Sequence, residues 1–363
     1  MLEPDGVTAT VGDQEDAKRG PGPRPGRALP LVALTAKDFK SDQEVRWCPG
    51  CGDYAILAAV QSLLPTLGLP RENLVFVSGI GCSSRLPYYL NTYGMHSIHG
   101  RAPAIATGLA VTRPDLSVWV ITGDGDALSI GGIHLIHALR RIVYLKILLF
   151  NNRIYGLTKG QYSPTSEQGK VTKSTPAGSP DTPFNPLSLA LGAEAGFVAR
   201  SIDSDRKHLT SVLSAAAKHR GTAFVEIYQN CNIFNDGAFD PLKDPAERDR
   251  HLLRLEHGAP LEFAGRKVVR DPGTGSLRVV PADDPAPALV HDANAADPQY
   301  AFALSRITDQ VTLDPTPIGV LRDVDRATYG EVLGGQLAEA GYGRREPDLA
   351  ALLRGGDTWT IGS

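Results

Sequence analysis

Between about residue 37 and residue 240 the chain alternates two kinds of apolar pattern. Short continuous apolar runs, "NLVFVSG", "SVWVITGDGD", "YLKILLFNN" and "TAFVEIYQN", read as buried strands. Between them, apolar positions recur at helical spacing in Tyr54–Leu64, "APAIATGLAVTR", Ile130–Arg141, "NPLSLALGAEAG" and "RKHLTSVLSAAAKHR", with "FVAR" as a further short strand. Strands that are apolar on both sides, separated by helices, predict an α/β fold: a doubly wound, mostly parallel sheet covered on both faces. In such sheets ligands sit beyond the carboxyl ends of the strands. "SGIGCSSR", "TGDGD", "FNNRIYG" and "YQNCNIF" all fall at those ends, so one edge of the sheet collects them.

The flanks read differently. Residues 1–36 are rich in Pro, Gly and charge and predict a disordered N-terminal extension. The main binding domain is expected over residues 37–240. In residues 241–363 Pro and Asp rise and the strands shorten, with "PLEFAGRKVVRDPGTGSLRVV" reading as a hairpin. This predicts an irregular C-terminal extension packed on the main domain or on a partner. No internal repeat is visible.

Composition narrows the class. The 363 residues are 42% hydrophobic and 21% charged, with a formal net charge of -3. That balance carries no electrostatic footprint for nucleic acid or for a membrane surface. No apolar run reaches the roughly 18 to 20 residues a spanning helix needs. The N-terminus lacks the apolar stretch of a signal peptide, and the expectation is a cytoplasmic protein.

Four cysteines occur: Cys48, Cys51, Cys82 and Cys231. Cys48 and Cys51 form a C-x-x-C pair in "WCPGCGDYAILAAV". In a reducing compartment such a pair is redox-active or a ligand pair. A helical run follows, but "SDQEVR" before it is not a strand, unlike thioredoxin-type motifs. Four thiols match the count for a tetrahedral metal or an iron–sulfur cluster. They also match four unrelated buried thiols, and count and spacing leave both readings open.

The segment "GDGDALSIGGIHLIHALRRIVYLKILLFNN" is more specific. A strand ends in Gly123–Asp124–Gly125, a helix follows, and the next strand ends in Asn151–Asn152. Glycines let backbone approach a phosphate closely, and a helix start offers free N–H groups. A carboxylate beside a diphosphate suggests Mg²⁺, which takes carboxylate, amide and carbonyl oxygens together. Asp124 and Asn152, at the ends of consecutive strands, can meet at one ion. A lone GDG is a plain turn; paired with NN at the next strand end it reads as a ligand site.

That GDG…NN arrangement resembles the thiamine diphosphate signature. "CPGCG", "GIGC", "HGRAPAIATG", "GDGDALSIGG", "NNRIYGLTKGQYSPTS" and "NCNIFND", in this order, resemble the β subunit of 2-oxoacid:ferredoxin oxidoreductases, most of all the 2-oxoglutarate members. The resemblance covers about Lys37 to Asp240 and weakens beyond. It implies a thiamine diphosphate-binding fold with Asp124, Asn152 and the carbonyl of Ile154 as Mg²⁺ ligands, and with Gly123, Gly125 and Asp126 facing the diphosphate. It implies a [4Fe–4S] cluster held by Cys48, Cys51, Cys82 and Cys231, which uses every cysteine. It further implies a partner α subunit that supplies the activating glutamate, an αβ or α₂β₂ assembly, and oxidative decarboxylation of a 2-oxoacid with coenzyme A and ferredoxin. The chain alone has no room for a second thiamine domain, which points to the same dependence.

Four further residues are candidates near the substrate. Lys159 in "GLTKGQ" is either a partner for the distal carboxylate of 2-oxoglutarate or a solvated loop lysine. Arg85 holds the 2-oxoacid carboxylate, tunes the cluster, or forms a structural ion pair. Leu157 lines the substrate pocket or simply packs. His99 reaches the thiamine side or is a buried neutral histidine. The "SPTS" run, Ser163 to Ser166, is a loop over the cofactor or a polar turn. Rival readings are a non-redox thiamine lyase whose cysteines hold Zn²⁺ or nothing, and a zinc-stabilised scaffold subunit that has lost catalysis.

Overall fold

The computed structural model describes residues 34–341, 348–356, 359 and 361. Residues 1–33 of the N-terminal extension lie outside the described residues.

Eleven strands and ten helices follow one another among the described residues: α1 (Asp53–Leu63), β1 (Leu74–Ser78), β2 (Tyr93–His96), α2 (Ala102–Thr112), β3 (Ser117–Gly123), α3 (Asp124–Leu128), α4 (Gly132–Arg140), β4 (Leu145–Asn151), α5 (Pro186–Gly192), β5 (Phe197–Ile202), α6 (Arg206–Lys218), β6 (Ala223–Tyr228), α7 (Arg248–His251), β7 (Leu252–Leu255), β8 (Glu262–Phe263), β9 (Arg266–Arg270), β10 (Leu277–Pro281), α8 (Gln299–Ser305), β11 (Thr316–Asp323), α9 (Tyr329–Glu339) and α10 (Leu349–Leu353). The main sheet has eight strands in the order β2-β1-β3-β4-β6-β5-β11-β7. From β2 to β5 all neighbours are parallel, and β11 then pairs antiparallel with β5.

The strand register shows why both faces had to be apolar. Val77, Val120, Ile147, Phe224 and Val198 stand opposite one another across five strands. All lie in a core with Ala106 of α2, Leu135 and Leu139 of α4, Leu187 of α5 and Leu304 of α8. One position along, Ile121, Leu148, Val225 and Ala199 also stand in register. These pack on the other face with Ile56 and Val60 of α1 and Leu209 and Leu213 of α6. Successive side chains of a strand point to opposite faces, so double coverage favours apolar residues along the whole run, and the charged side chains within it, Lys146, Arg200 and Glu226, are buried with partners.

Two differences from the sequence reading stand out. Beyond residue 240 the chain does more than pack on the sheet, because β7 and β11 are strands of it. The expected hairpin is a three-stranded antiparallel sheet in the order β10-β9-β8. The helix expected over Ile130–Arg141 is α4, with the short α3 set apart from it by a break at Ser129. Among the described residues no helix is long and apolar enough to cross a membrane.

The result that positions the site is the common edge. Gly79–Cys82 after β1, Gly123 of β3, Asn152 after β4, Asp203 after β5 and Gln229–Cys231 after β6 all follow the carboxyl ends of parallel strands.

Candidate active site

A cavity of about 180 Å³ opens at this edge, lined by Cys82, His99, Gly123 to Asp126, Asn152 and the loop Ile154–Thr158. Its floor is the turn from β3 into α3. A side chain at Gly125 would place Cβ 2.2 Å from Tyr155 Cε1, so only glycine lets the Tyr155 ring close over the turn. The Tyr155 hydroxyl donates to the Gly125 carbonyl at 2.9 Å.

Asp124 is buried, and its Oδ2 accepts from Ser163 Oγ at 2.5 Å and from Thr165 Oγ1 at 2.6 Å. Burial pushes its carboxyl up from the usual range, and the two hydroxyls draw it back. No lysine or arginine lines the cavity to balance that charge. Asn152 is tied at both ends of its amide: Nδ2 donates to Gln229 Oε1 at 2.9 Å, and Oδ1 accepts from the Ile154 N–H at 3.2 Å. The Ile154 carbonyl accepts no hydrogen bond from any described residue. A buried carboxylate without a cation, an amide oxygen and a free carbonyl at one cavity wall form a hard donor set that fits Mg²⁺.

Asp126 has a different place. Its Oδ1 accepts from His99 Nδ1 and from the Gly100 N–H, each at 2.7 Å, and from the Ile80 N–H at 3.2 Å. Its Oδ2 accepts from Thr122 Oγ1 at 2.7 Å. Both oxygens are thus committed to joining the loops after β1 and β2 to the turn after β3. A side chain at Gly79 would meet Asp126 Oδ2 at 1.8 Å, which accounts for that glycine.

The four thiols come from three loops. Cys48 is exposed, Cys51 and Cys82 are half-buried and Cys231 is buried. A point built where Gly156 lacks a side chain lies 3.5 Å from Cys231 Sγ and 3.6 Å from Cys82 Sγ. The protein holds these loops together itself: Trp47 Nε1 donates to the Cys82 carbonyl at 2.7 Å, Asn232 Nδ2 to the Pro49 carbonyl at 2.5 Å, and Gln229 Nε2 to Cys51 Sγ at 3.2 Å. Burial, then the charge of Asp53, then that of Cys231 push the Cys82 thiol up to about 12, and burial with Asp53 raises Cys51 as well. Asp53 itself is buried with neither oxygen hydrogen-bonded, and burial pushes it up to about 7. Buried thiols beside a carboxyl with no hydrogen-bond partner fit a cationic group bound by the thiolates. Among the described residues no three His, Cys, Asp or Glu side chains are close enough to hold a single metal ion.

The substrate candidates separate. His99 and Leu157 line the cavity. Lys159 faces an outward hollow instead, and Arg85 faces another, where its Nε donates to the Tyr89 hydroxyl at 3.1 Å. Arg85 still acts on Cys82, since its charge opposes the rise of that thiol. Sequence reasoning missed Tyr155 and Gln229. It also missed a buried chain behind the site, in which Arg200 Nε donates to Glu226 Oε2 at 2.7 Å and Asn151 Nδ2 to Glu226 Oε1 at 2.8 Å. Ser163 and Thr165 were visible only as a polar run, with no signal that pointed them at Asp124.

Residues 79–227 match the thiamine pyrophosphate enzyme C-terminal TPP binding domain. The chain is 62% identical over 331 residues to the 2-oxoglutarate oxidoreductase subunit KorB of Mycobacterium tuberculosis, covering 90% of this chain and 88% of that one. It is 45% identical over 192 residues to a 2-oxoacid:ferredoxin oxidoreductase subunit beta of Sulfolobus, covering 52% of this chain and 63% of that one. A solved structure, the 2-oxoglutarate:ferredoxin oxidoreductase from Magnetococcus marinus with 2-oxoglutarate, coenzyme A and succinyl-CoA bound, superposes with a TM-score of 0.72 at 33% identity, over 90% of this chain and 98% of that one.

Proposed function

Because the chain belongs to the β subunits of the 2-oxoacid:ferredoxin oxidoreductases, we propose that it is the thiamine diphosphate-binding half of a 2-oxoglutarate:ferredoxin oxidoreductase, working with an α subunit. The reaction is oxidative decarboxylation of 2-oxoglutarate to succinyl-CoA and CO₂, with electrons passed to ferredoxin. One observation carries this reading. Gly156 forms part of the cavity wall, and a side chain there would lie 3.5 Å from Cys231 Sγ and 3.6 Å from Cys82 Sγ, so the wall of the proposed thiamine site adjoins two of the four thiols. A lyase has no use for that wall.

Thiamine diphosphate, when bound, supplies the carbon nucleophile for the keto group, and a [4Fe–4S] cluster supplies the electron sink. The chain's own residues do the rest. Asp124, Asn152 and the Ile154 carbonyl hold Mg²⁺, with Ser163 and Thr165 fixing the Asp124 carboxylate. Gly123 and Gly125 let backbone N–H groups approach the diphosphate. Cys48, Cys51, Cys82 and Cys231 hold the cluster, and Arg85 lowers the cost of the Cys82 thiolate. Asp126 fixes His99 through Nδ1, which leaves Nε2 as the free ring nitrogen for a proton at the cavity. Leu157 excludes water there. Lys159, in a loop where it and Gly160 both take positive φ, is the candidate for the distal carboxylate. The glutamate that activates thiamine comes from the α subunit.

The test is anaerobic co-purification with the α subunit, followed by visible spectra before and after 2-oxoglutarate and coenzyme A. A band near about 400 nm, expected for thiolate-bound iron–sulfur, should bleach on addition. Bleaching with pyruvate alone would overturn the substrate. A colourless protein with stoichiometric zinc would overturn the redox reading.

A further inference from the structure

Electrons that reach the four-thiol site must leave the protein, and the side chains around Gly156 mark a route. The point 3.6 Å from Cys82 Sγ and 3.5 Å from Cys231 Sγ is also 3.9 Å from Phe234 Cδ2. The same ring extends to Gly160, where a side chain would meet Phe234 Cδ1 at 2.8 Å. Phe234 is 37% exposed and helps to line a hollow of about 440 Å³ together with Lys159, Gly160, Lys170, Val171, Thr172 and Lys173. Val171 is 66% exposed, and Ile233, next to the ring in sequence, 56%.

Charge distinguishes this hollow from its neighbours. Every charged residue lining it is a lysine. The hollow near Arg85 mixes Glu44 with Arg46, which form an ion pair at 2.9 Å. The hollow at Cys51 mixes Asp203 with Lys243. Lys170 is held by Glu167 at 2.9 Å and by Asn235 Oδ1 at 2.5 Å, while Lys159 and Lys173 are exposed and make no ion pair among the described residues. An apolar centre with a cationic rim, only a few residues wide, is the build of a weak, electrostatically steered encounter surface.

Resting on the functional reading above, we propose that this lysine-rimmed hollow is the docking surface for an acidic one-electron carrier protein, with Phe234 between the thiol-held group and the carrier's redox centre. Oxidation of one 2-oxoacid releases two electrons, and each carrier molecule is reduced by one. Two carriers must therefore dock and leave in each turnover. A small surface that binds by steering and lets go quickly suits that requirement, whereas a large apolar interface would hold the reduced product.

The experiment uses the holoenzyme with its α subunit, as wild type, K173E and V171D/K173E; both substituted residues are exposed and lie outside the cavity. Equilibrium binding of an acidic low-potential ferredoxin is measured without substrate at low and high salt. The 2-oxoglutarate-dependent reduction of that ferredoxin and of methyl viologen is measured alongside. The expected result is wild-type binding that weakens with salt and K173E binding weaker by about 5-fold at low salt with a flatter salt dependence, since loss of a rim charge acts on steering. The double variant should be weaker still, with methyl viologen reduction unchanged in both. Ferredoxin affinity equal to wild type in both variants would overturn the proposal. So would loss of the α subunit on gel filtration, which would make the hollow a subunit contact. A wild-type enzyme that reduces neither acceptor would overturn the functional reading itself, a result distinct from normal viologen reduction with unaltered ferredoxin binding.

Discussion

Asn151 Nδ2 donates to Glu226 Oε1 at 2.8 Å, and both side chains are buried on adjacent parallel strands. The bond fixes which way the Asn151 amide faces. Its oxygen then accepts from the Arg153 N–H at 3.2 Å, at the start of the loop that carries Ile154 to Leu157. Thr165 Oγ1 lies 2.9 Å from the same oxygen and 2.6 Å from Asp124 Oδ2. A hydroxyl has one proton to give, and the charged acceptor takes it. The pair Arg200–Glu226 therefore orients the amide behind the Asp124 site from two and three strands away.

Breaking that pair should cost much more than a surface ion pair. Glu226→Ala leaves the Arg200 guanidinium buried without a counter-charge, and urea unfolding should show a loss of about 3–5 kcal/mol. Arg200→Met with Glu226→Leu removes both charges and should recover most of it. A single variant within about 0.5 kcal/mol of wild type would show that the pair is not what holds this layer.

Gly125→Ala inserts a methyl group against the Tyr155 ring. Overpacking of that kind costs about 1–3 kcal/mol, here drawn from closure of the cofactor cavity. Thiamine diphosphate affinity, titrated calorimetrically on the αβ enzyme with Mg²⁺, should fall by about tenfold or more. Unchanged affinity would mean that Tyr155 moves freely and does not shape the site.

Cys231→Ser removes a buried thiol that abuts the Gly156 wall. Iron content per chain and the visible band should both collapse, while far-ultraviolet circular dichroism stays native because Trp47, Asn232 and Gln229 still staple the loops. Retention of full iron would remove Cys231 from the ligand set.

His208 gives a pH signature away from the site. Burial, then the charge of Arg254, holds it down at about 4, against an ordinary 6.5. Between those values the unfolded chain binds a proton that the native chain refuses, so stability is full above pH 6.5 and declines as the pH falls toward 4. Urea midpoints of wild type and His208→Gln at pH 7.5, 5.5 and 4.5 should converge as the pH falls. Parallel curves would show that His208 titrates alike in both states.

Much of this was legible in the chain, for physical reasons that differ by element. β1, β3, β4 and β6 were readable because both their faces are covered, which forces continuous apolar runs. β2 was not, because all four of its residues are exposed and nothing requires them to be apolar. β7 and β11 were missed because two strands added at the far end of a sheet, one of them antiparallel to its neighbour, break the strand–helix rhythm that announces the others. Asp124 and Asn152 were visible because their spacing is local to two strands. The contacts of Asp126 with Ile80 and His99, and of Asp124 with Ser163, join distant loops and leave no periodicity to read.

The antiparallel pairing of β11 with β5 also limits how the gene can be cut. A chain stopped near residue 240 would keep every proposed cofactor ligand and still leave β5 with a bare hydrogen-bonding margin and an uncovered apolar row. Such an edge invites other chains to add to it. The last third of the protein, which bears none of the proposed ligands, is therefore part of the smallest piece that can be handled in solution.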